Sequence, residues 1–552
     1  MPQTALMLKF SEVVNGGRRA PATYYDEILK CSGDLPLNIL ATINNLWVLE
    51  HGDTRQTSLA HQFLDVPLKI EAARYLKGAV GDAGGVIFTR IGSLLNLKLL
   101  LSVPRVDSGF TNDLIGSVSL HSNDFIETED SSRLANGTAG VVAEFAAVWE
   151  LWNPRHAMFL LKRSFYLYSR LLSTNADVQT LFSTPVAELR FDDLTFEKYF
   201  ALLFGIYGVT RNGVLDPRFP TSIAPAEDVA TKAGVTEDQF KRFAEGKALH
   251  VGRPDRLLIP LHREEFVAHV TNGSWAVDVG PFRTAPLVPL SDGRFMVSDL
   301  QFLLESATAG LWWSIAQRLT GKAKQKFFDL WGPIFEQYVQ RLLEHYIGGP
   351  AAYSHGNCQI DAVIRAGDDI IVFEVKAGFI ANDAKCSRNE SIFGRALKEK
   401  FVTSSKGDRK GVRQLAATVK AVLARRAGLS CSGRIYPVLV AEDPVLQTLA
   451  LNTLLNDLFT TEVVVGDRVA PLTVMTIDEL ERILPAIAAA DLSWQDLLES
   501  RFNNSRVAAH SVEEAFAALH SGRKLPSREE TFLRPCSEEL IAMLTERFKD
   551  LP

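Results

Sequence analysis

The sequence predicts a multidomain protein: a mostly helical N-terminal region, then an α/β core of helix, mixed central sheet and helix, and a helical C-terminal region. Three observations lead to this fold class. The chain has 552 residues, enough for several domains of about 150 residues each. Its apolar content of 47% and charged content of 22% are ordinary for globular proteins and exclude a wholly disordered or fibrous chain. The apolar pattern changes from helical to strand-like after residue 350.

These patterns divide the chain into four regions. Residues 1–225 form the mainly helical N-terminal domain, to which we assign recognition or regulation. Residues 226–324 are a linker and an α+β connecting region, 325–485 are the α/β core, and 486–552 are the helical C-terminal region.

The N-terminal region is predicted from helical spacing and from turn residues. Apolar spacing predicts the helices Leu37–Leu49, Val141–Leu151 and Phe196–Tyr207. A Pro-rich linker covers 217–225. Thr236 begins the next helix, since Glu237 and Asp238 in the first turn interact favourably with the helix dipole. Residues 280–297 are expected to be extended segments around a Ser-Asp-Gly turn.

The core elements follow in the order of an α/β unit. A helix is expected to begin near Pro333, a residue suited to a first helical position, and to end at Tyr346. The later elements are the strands Cys358–Arg365 and Asp369–Val375, the helix Val412–Arg426, the strands Arg434–Val440 and Thr461–Val465, and the helix Ile477–Leu484.

The sequence favours a cytoplasmic protein without a membrane partner. It has no run of 18 apolar residues, and residues 1–12 lack the pattern of a secretory signal. The five cysteines are scattered and never spaced as CxxC, which predicts neither a disulfide framework nor a zinc site.

The predicted hairpin brings two acids together. Turn chemistry centres the hairpin between Gly367 and Asp368, so that Asp361 opposes Glu374. Opposed residues of an antiparallel pair have Cβ atoms roughly 4.5–5.5 Å apart. Lys376 shares a strand face with Glu374, because successive side chains alternate between faces. The plainer alternative is that Glu374 and Lys376 form an ion pair at the sheet edge and that Asp361 only marks the end of a strand.

Two adjacent carboxylates in a half-buried sheet repel each other unless a cation lies between them. Mg²⁺ is commonly held by one or two carboxylates, with water and substrate phosphate completing its coordination. Asp361 and Glu374 are therefore candidate ligands of Mg²⁺ or Mn²⁺. Lys376 is placed to orient or deprotonate the attacking water, or to stabilise the charge that develops on the phosphate.

The string Asp361-x12-Glu374-Val375-Lys376, within this order of elements, resembles the PD-(D/E)xK superfamily of restriction-endonuclease-like and RecB-like nucleases. The resemblance covers only 325–485, and Ile360 stands at the place of the nominal Pro. It implies a restriction-endonuclease-like fold and metal-dependent hydrolysis of phosphodiester bonds, usually in DNA. The large N-terminal region fused to such a core resembles bacterial antiviral defence proteins.

Two further residues complete the expected catalytic set. On the helix that precedes the hairpin, Glu336 lies at the edge of the apolar face, whereas Glu344 lies opposite. In the families this core resembles, such a Glu is an accessory metal ligand. Gln414 resembles the extra motif of RecB-like members, which supports the site or contacts substrate. A solvated helix Glu and a surface Gln are the plain alternatives.

A basic stretch adds a candidate nucleic-acid contact. Residues 377–434 hold 13 Lys or Arg against 4 Asp or Glu, although the whole chain has a net charge of −6. Nine of these basic residues lie between 385 and 413: Lys385, Arg388, Arg395, Lys398, Lys400, Lys406, Arg409, Lys410 and Arg413. Lys and Arg supply most sequence-independent affinity for phosphates. Lys406, Arg409, Lys410 and Arg413 are the predicted nucleic-acid-binding residues. A solvated loop is the alternative.

The leading hypothesis is a Mg²⁺- or Mn²⁺-dependent nuclease that cuts DNA rather than RNA. A protein partner or a second copy of the chain would bind through the N-terminal region. The alternative is a nucleic-acid-binding or interaction subunit that keeps the nuclease fold without catalysis.

Overall fold

The structure is a computed structural model of the whole chain. It describes residues 6–7 and 20–548, except 51–55, 66, 70–71, 73–84, 105–109, 127–141, 144–145, 153–154, 156, 183–189, 192, 217, 219, 225, 250–259, 272, 356–357, 427, 430, 491–492, 504–511 and 520–530. Parts of the predicted helix 141–151 and of the linker 217–225 lie outside the described residues.

The described part of the N-terminal and connecting regions is mostly helical, as predicted. Its helices are Pro21–Lys30, Asp34–Glu50, Gln56–Phe63, Arg90–Ser102, Asn112–Ile126, Trp149–Trp152, Ala157–Tyr166, Ala176–Gln179, Phe196–Leu215, Ala226–Lys232, Glu237–Lys247, Arg263–Thr271, Gly273–Val277, Gly280–Thr284, Leu300–Glu305 and Ala309–Gln317, with a π-helical segment Leu167–Leu172. Thr236 caps its helix through a capping box with Gln239, which confirms the predicted start.

The helices from residue 321 onward surround the central sheet and form the C-terminal region. They are Gly321–Ile347, Asn382–Cys386, Glu390–Phe401, Gly411–Leu423, Leu449–Thr460, Ile477–Ala490, Trp494–Asn503, Val512–Leu519 and Arg534–Phe548, with a 3₁₀ turn at Pro444–Gln447. The helical C-terminal region is thus confirmed for its described part.

Short strands accompany the N-terminal helices. β1 (Leu6–Met7) pairs with β2 (Gly85–Val86), and β3 (Arg190–Phe191) pairs with β4 (Leu194–Thr195). β5 (Ile223–Ala224), β6 (Leu287–Pro289) and β7 (Phe295–Val297) form an antiparallel sheet in the order β5-β7-β6. The β6–β7 hairpin confirms the predicted Ser-Asp-Gly turn, whereas Gly280–Thr284 is a helix and not extended.

The central sheet has four strands and is mixed, as predicted. It consists of β10 (Ala362–Ala366), β11 (Asp369–Lys376), β12 (Ile435–Ala441) and β13 (Thr473–Thr476). Their order is β10-β11-β12-β13, with β10 antiparallel to β11 and the other neighbours parallel. A separate two-stranded hairpin, β8 (Tyr353–His355) and β9 (Cys358–Ile360), precedes the sheet.

The hairpin register agrees with the prediction. Every pair from Ala362↔Phe373 to Ala366↔Asp369 centres the turn between Gly367 and Asp368. Gly367 has φ +63°, a left-handed conformation that favours glycine in a tight hairpin turn.

Two further predicted elements differ from the structure. The helix near Pro333 begins at Gly321, so that Pro333 lies inside it. Proline removes one helical hydrogen bond, but buried Phe327 and Trp331 on one side and Phe335 on the other anchor both halves in the core. The fourth strand is β13 and not 461–465. The edge of β12 is paired by 473–476, and Val464 is 89% exposed; strand propensity without a partner does not make a strand.

Helices cover both faces of the sheet. Side chains of one face, such as Phe373 and Val438, pack in a core with Phe335 and Leu480 from the helices 321–347 and 477–490. Side chains of the other face pack in a core with the helices 390–401 and 411–423; Val372, Leu439, Phe393 and Leu415 are examples. Glu374 shares the strand face of Val372 and therefore lies on this second side.

Packing continues across the predicted domain boundaries. The first core also contains Leu161 and Tyr199 from the N-terminal region and Leu540 from the C-terminal region. The boundaries at 225, 324 and 485 stay predictions, but the regions that they separate share one hydrophobic core. Among the described helices, none is long and apolar enough to cross a bilayer.

Candidate active site

Asp361 lies in a bend between β9 and β10, one residue before the β10–β11 ladder. The predicted continuous strand 358–365 is therefore interrupted at this residue. The bend lets its Oδ2 accept a hydrogen bond of 2.7 Å from the backbone N–H of Val375. Its backbone carbonyl accepts a second bond of 2.7 Å from Nε2 of Gln340 on the long helix. Asp361 is thus held against β11 at the position that opposes Glu374 in the predicted register.

Glu374 and Lys376 form an ion pair on β11, as their spacing predicts. Oε1 of Glu374 lies 2.5 Å from Nζ of Lys376, and the two side chains are 7% and 20% exposed. This carboxylate oxygen is buried and takes part in no hydrogen bond of regular angle. The lysine therefore balances the charge of Glu374 without filling the hydrogen-bonding capacity of its carboxylate.

Glu336 interacts electrostatically with this group from the helix Gly321–Ile347. Burial, and then the charge of Asp361, raises the pKa of Glu336 to about 7, although Lys376 acts in the opposite direction. Glu344 instead accepts a hydrogen bond from the backbone of Ala351 beyond the helix end. The choice of Glu336 over Glu344 from the helical wheel agrees with this arrangement.

The acids of the site carry more negative charge than one lysine balances. Burial, and then the neighbouring Asp361, raises the pKa of Glu374 to about 8. Burial also raises the pKa of Asp361, against the opposing effects of Lys376 and the Val375 N–H. Three carboxyl groups thus interact with the single ammonium of Lys376, and burial together with the repulsion between acids favours their protonation.

The donor chemistry fits a divalent metal ion, although a complete ligand set is not preassembled. Among the described residues, no three His, Cys, Asp or Glu side chains form a group that could hold a metal ion. Glu336 is therefore not gathered with Asp361 and Glu374 into the expected three-acid set, and its role as a ligand stays a prediction. Two carboxylates with water are nevertheless a common way to hold Mg²⁺.

Gln414 is not brought to the acidic group by any contact within the described residues. It lies exposed in the first turn of the helix Gly411–Leu423. Its Oε1 accepts a hydrogen bond of 2.9 Å from the backbone N–H of Gly411, which closes the helix start. The structure thus gives Gln414 a local structural contact, and its predicted contact with substrate stays a prediction.

Three of the predicted nucleic-acid-binding residues, Lys406, Arg409 and Lys410, lie in the loop segment before that helix, and Arg413 lies in its first turn. Ser404 and Asp408 close the loop, since their side chains lie 3.0 Å apart and the Ser404 N–H donates to the Asp408 carbonyl. Lys406 is exposed at the loop tip, and Arg409 is exposed at its base, where it bridges to Thr403. Lys410 is partly buried at the loop end.

Arg413 differs from the other three predicted residues, because it has protein partners. Its guanidinium donates to Oε1 of Glu462 at 3.0 Å and to the hydroxyl of Thr403 at 2.8 Å. An arginine held in this way has less freedom to bind a phosphate than the exposed side chains of the loop.

Two members of the basic stretch are structural, contrary to the expectation. Lys385 is buried and donates to Oε1 of Glu150 at 2.6 Å and to Oδ1 of Asp443 at 2.8 Å. Arg388 is buried and donates to the carbonyl of Ile126. Both join the core to the N-terminal region and cannot contact a phosphate. The charge pattern of the sequence could not predict these contacts, because the acids that bind Lys385 and the carbonyl that binds Arg388 lie far away in the chain.

Gln340 is the site residue that the sequence analysis missed. It lies one turn after Glu336, so it is on the same side of the helix, and its amide ties Asp361 to that helix. Its position four residues after Glu336 was the feature of the sequence that could have identified it.

No protein-family model matches this sequence, no curated protein is significantly similar to it, and no solved structure is a significant match to its fold. Functional inference therefore depends on the geometry described above.

Proposed function

We propose that this protein is a nuclease that hydrolyses phosphodiester bonds in DNA and requires Mg²⁺ or Mn²⁺. The observation that carries the proposal is the group at the end of the β10–β11 hairpin. There the side chain of Asp361 accepts a hydrogen bond from the backbone N–H of Val375, the residue between Glu374 and Lys376. This order of an acid opposite an acid and a lysine is the motif that resembles PD-(D/E)xK nucleases.

The acids supply the site for the cation. Asp361 and Glu374 would hold the ion, and Glu336 is a third acid that interacts with Asp361. When bound, a divalent ion polarises a phosphate oxygen and makes water more acidic. The raised pKa of Glu374 supports this role. It shows that the ionised carboxylate is poorly compensated in the metal-free protein, and a bound divalent cation would stabilise that ionised form.

Lys376 acts as a cation rather than as a base. Burial acts to lower the pKa of Lys376, but the charges of Glu374 and Asp361 outweigh burial and raise it. The ammonium form is therefore favoured at neutral pH. A fixed positive charge beside the phosphate stabilises the negative charge that develops during hydrolysis. Of the roles considered for Lys376, the structure supports charge stabilisation over proton abstraction.

The exposed loop supports nucleic acid as the substrate. Lys406 and Arg409 have no ion-pair or side-chain hydrogen-bond partner within the described part of the chain. They follow the candidate site in the sequence and are free to meet phosphates. The proposal also includes DNA rather than RNA as the substrate, a cytoplasmic location, a role in antiviral defence and a partner bound through residues 1–225. These parts of the proposal rest on the resemblance and on the sequence.

A metal-dependence assay tests the proposal. Purified wild-type protein and Glu374→Gln are incubated with supercoiled plasmid, linear DNA and RNA, with EDTA, Mg²⁺ or Mn²⁺. We expect the wild type to cut DNA only with a divalent ion and the variant to be inactive in the same preparations. Equal cleavage by both proteins would assign the activity to a contaminating nuclease, and absence of cleavage with every substrate and ion would reject hydrolysis.

A nucleic-acid-binding subunit without catalysis is the second candidate. The close Glu374–Lys376 ion pair and the absence of a preassembled metal group among the described residues favour it. Calorimetric titration with Mn²⁺ separates the two functions. DNA binding without any metal binding would select the second.

A further inference from the structure

A second lysine lies close to the end of β11. Lys400 lies near the end of the helix Glu390–Phe401, and its side chain extends across the backbone of Gly378. Gly378 follows Lys376 by two residues. A Cβ atom at Gly378 would lie 2.2 Å from Nζ and 2.6 Å from Cε of Lys400. Gly378 has φ +142°, a conformation that favours glycine. The missing side chain thus leaves the space in which the ammonium lies.

Two other lysines and two acids interact with this ammonium. Burial, and then the charge of Lys410, lowers the pKa of Lys400, and Lys376 acts in the same direction. Asp443 and Glu442 act in the opposite direction. The backbone also holds Lys410 near Lys400, since the Lys410 N–H donates a hydrogen bond of 3.0 Å to the carbonyl of Val402, two residues after Lys400. Lys400 therefore lies near the end of β11 through Gly378 and near Lys410 at the loop end.

Both nearby acids have other hydrogen-bond partners. Both oxygens of Asp443 are occupied, by Lys385 and by the backbone N–H groups of Val445 and Ile380. Glu442 accepts a hydrogen bond from Nε1 of Trp331. Within the described part of the chain, the side chain of Lys400 forms no ion pair and no hydrogen bond.

Two ammonium groups without acidic partners, held close together, are stabilised by an anion that bridges them. A phosphodiester carries one negative charge on two free oxygens, which suits a pair of lysines. We propose that Lys400 and Lys410 bind one phosphate of the nucleic-acid backbone, adjacent to the phosphate that is cleaved. This inference rests on the proposed function, and it makes Lys400 a positioning residue for the bound strand.

The test is the salt dependence of DNA binding by the full-length protein in EDTA, where cleavage does not interfere. The variants are Lys400→Met, which keeps the apolar stem, and Lys400→Arg, which keeps the charge. Lys398→Met is the matched control, because Lys398 is an exposed residue of the same helix. Thermal melting of each variant confirms that it is folded.

We expect Lys400→Met to weaken binding of a short duplex and to reduce the slope of log K against log salt by about one. Lys400→Arg and Lys398→Met should retain the wild-type slope. Equal slopes for Lys400→Met and Lys398→Met would overturn the proposal, and so would failure of the wild type to bind DNA. Loss of inorganic phosphate binding by calorimetry, with unchanged DNA affinity, would assign the site to free phosphate and also overturn it.

These results are separable from the outcome for catalysis. A wild-type protein that does not cleave but binds DNA through Lys400 would reject hydrolysis and support the phosphate site. Cleavage by the wild type, with DNA binding insensitive to Lys400→Met, would reject the phosphate site alone.

Discussion

Oδ2 of Asp361 accepts a hydrogen bond of 2.7 Å from the backbone N–H of Val375, the residue between Glu374 and Lys376. This bond fixes the acid of one strand against the acid and the lysine of the next. Because the bond needs an acceptor but no charge, it separates the structural role of Asp361 from the role of its charge.

Asp361→Asn should therefore fold and fail to cut. The amide oxygen can still accept the Val375 N–H, but the negative charge that a metal requires is lost. We expect metal affinity and cleavage to fall by at least about 100-fold, with partial rescue by Mn²⁺, which binds such sites more tightly than Mg²⁺. Cleavage rates and Mn²⁺ calorimetry measure both. Wild-type metal affinity in this variant would show that Asp361 is not a ligand.

Lys376→Ala should retain metal binding but lose turnover. Both carboxylates remain, whereas the cation that stabilises developing charge is removed, so kcat should fall roughly 100- to 1,000-fold. Loss of the ammonium also raises the pKa of Glu374 further, so we expect metal binding to require a higher pH than in the wild type. A variant with wild-type kcat would remove Lys376 from the reaction.

The stability of the metal-free protein should fall with rising pH. The pKa of Glu374 is about 8 in the folded protein, against an ordinary 4.5. The folded state therefore binds more protons than the unfolded chain between these values, so this contribution is complete below 4.5 and is lost as pH rises through 8. Glu336 acts in the same direction, with a pKa of about 7.

Urea denaturation in EDTA across this pH range measures the effect. Glu374→Gln should flatten the dependence, and Mg²⁺ should stabilise the wild type most at the alkaline end, where the acids are ionised. A dependence that is unchanged in Glu374→Gln would assign it to other groups.

Lys385→Ala should destabilise the fold. Lys385 is buried between Glu150 and Asp443, and its removal leaves both acids without this partner. Loss of one partner from a buried ion pair costs about 3 kcal/mol or more, which urea denaturation measures. DNA affinity per folded molecule should not change. A reduced salt slope in this variant would instead restore Lys385 to the phosphate contacts.

The loop residues should act through their charge. Lys406→Gln combined with Arg409→Gln should weaken DNA binding and reduce the salt slope by about two, one for each contact. Arg413→Gln should have a smaller effect, because Glu462 already holds this guanidinium. Salt titrations of DNA binding compare the three proteins. An unchanged slope in the double variant would assign the loop charges to solubility.

The sequence alone determined the local geometry of the site. Strand alternation placed Glu374 and Lys376 on one face, and the turn residues set a register that, continued by one residue, puts Asp361 opposite Glu374. Both follow from short-range backbone rules, with a side-chain period of two and a turn at Gly367 and Asp368. The helical wheel distinguished Glu336 from Glu344 for the same reason.

Only the tertiary structure decided what each charge does. Lys385 and Lys400 read alike in the sequence, but Lys385 is buried against Glu150 and Asp443, whereas Lys400 lies over Gly378 without a partner in the described chain. The fourth strand likewise required a free edge of β12, which 473–476 reaches and 461–465 does not. Burial and pairing depend on residues tens to hundreds of positions away, and a local pattern contains no information about them.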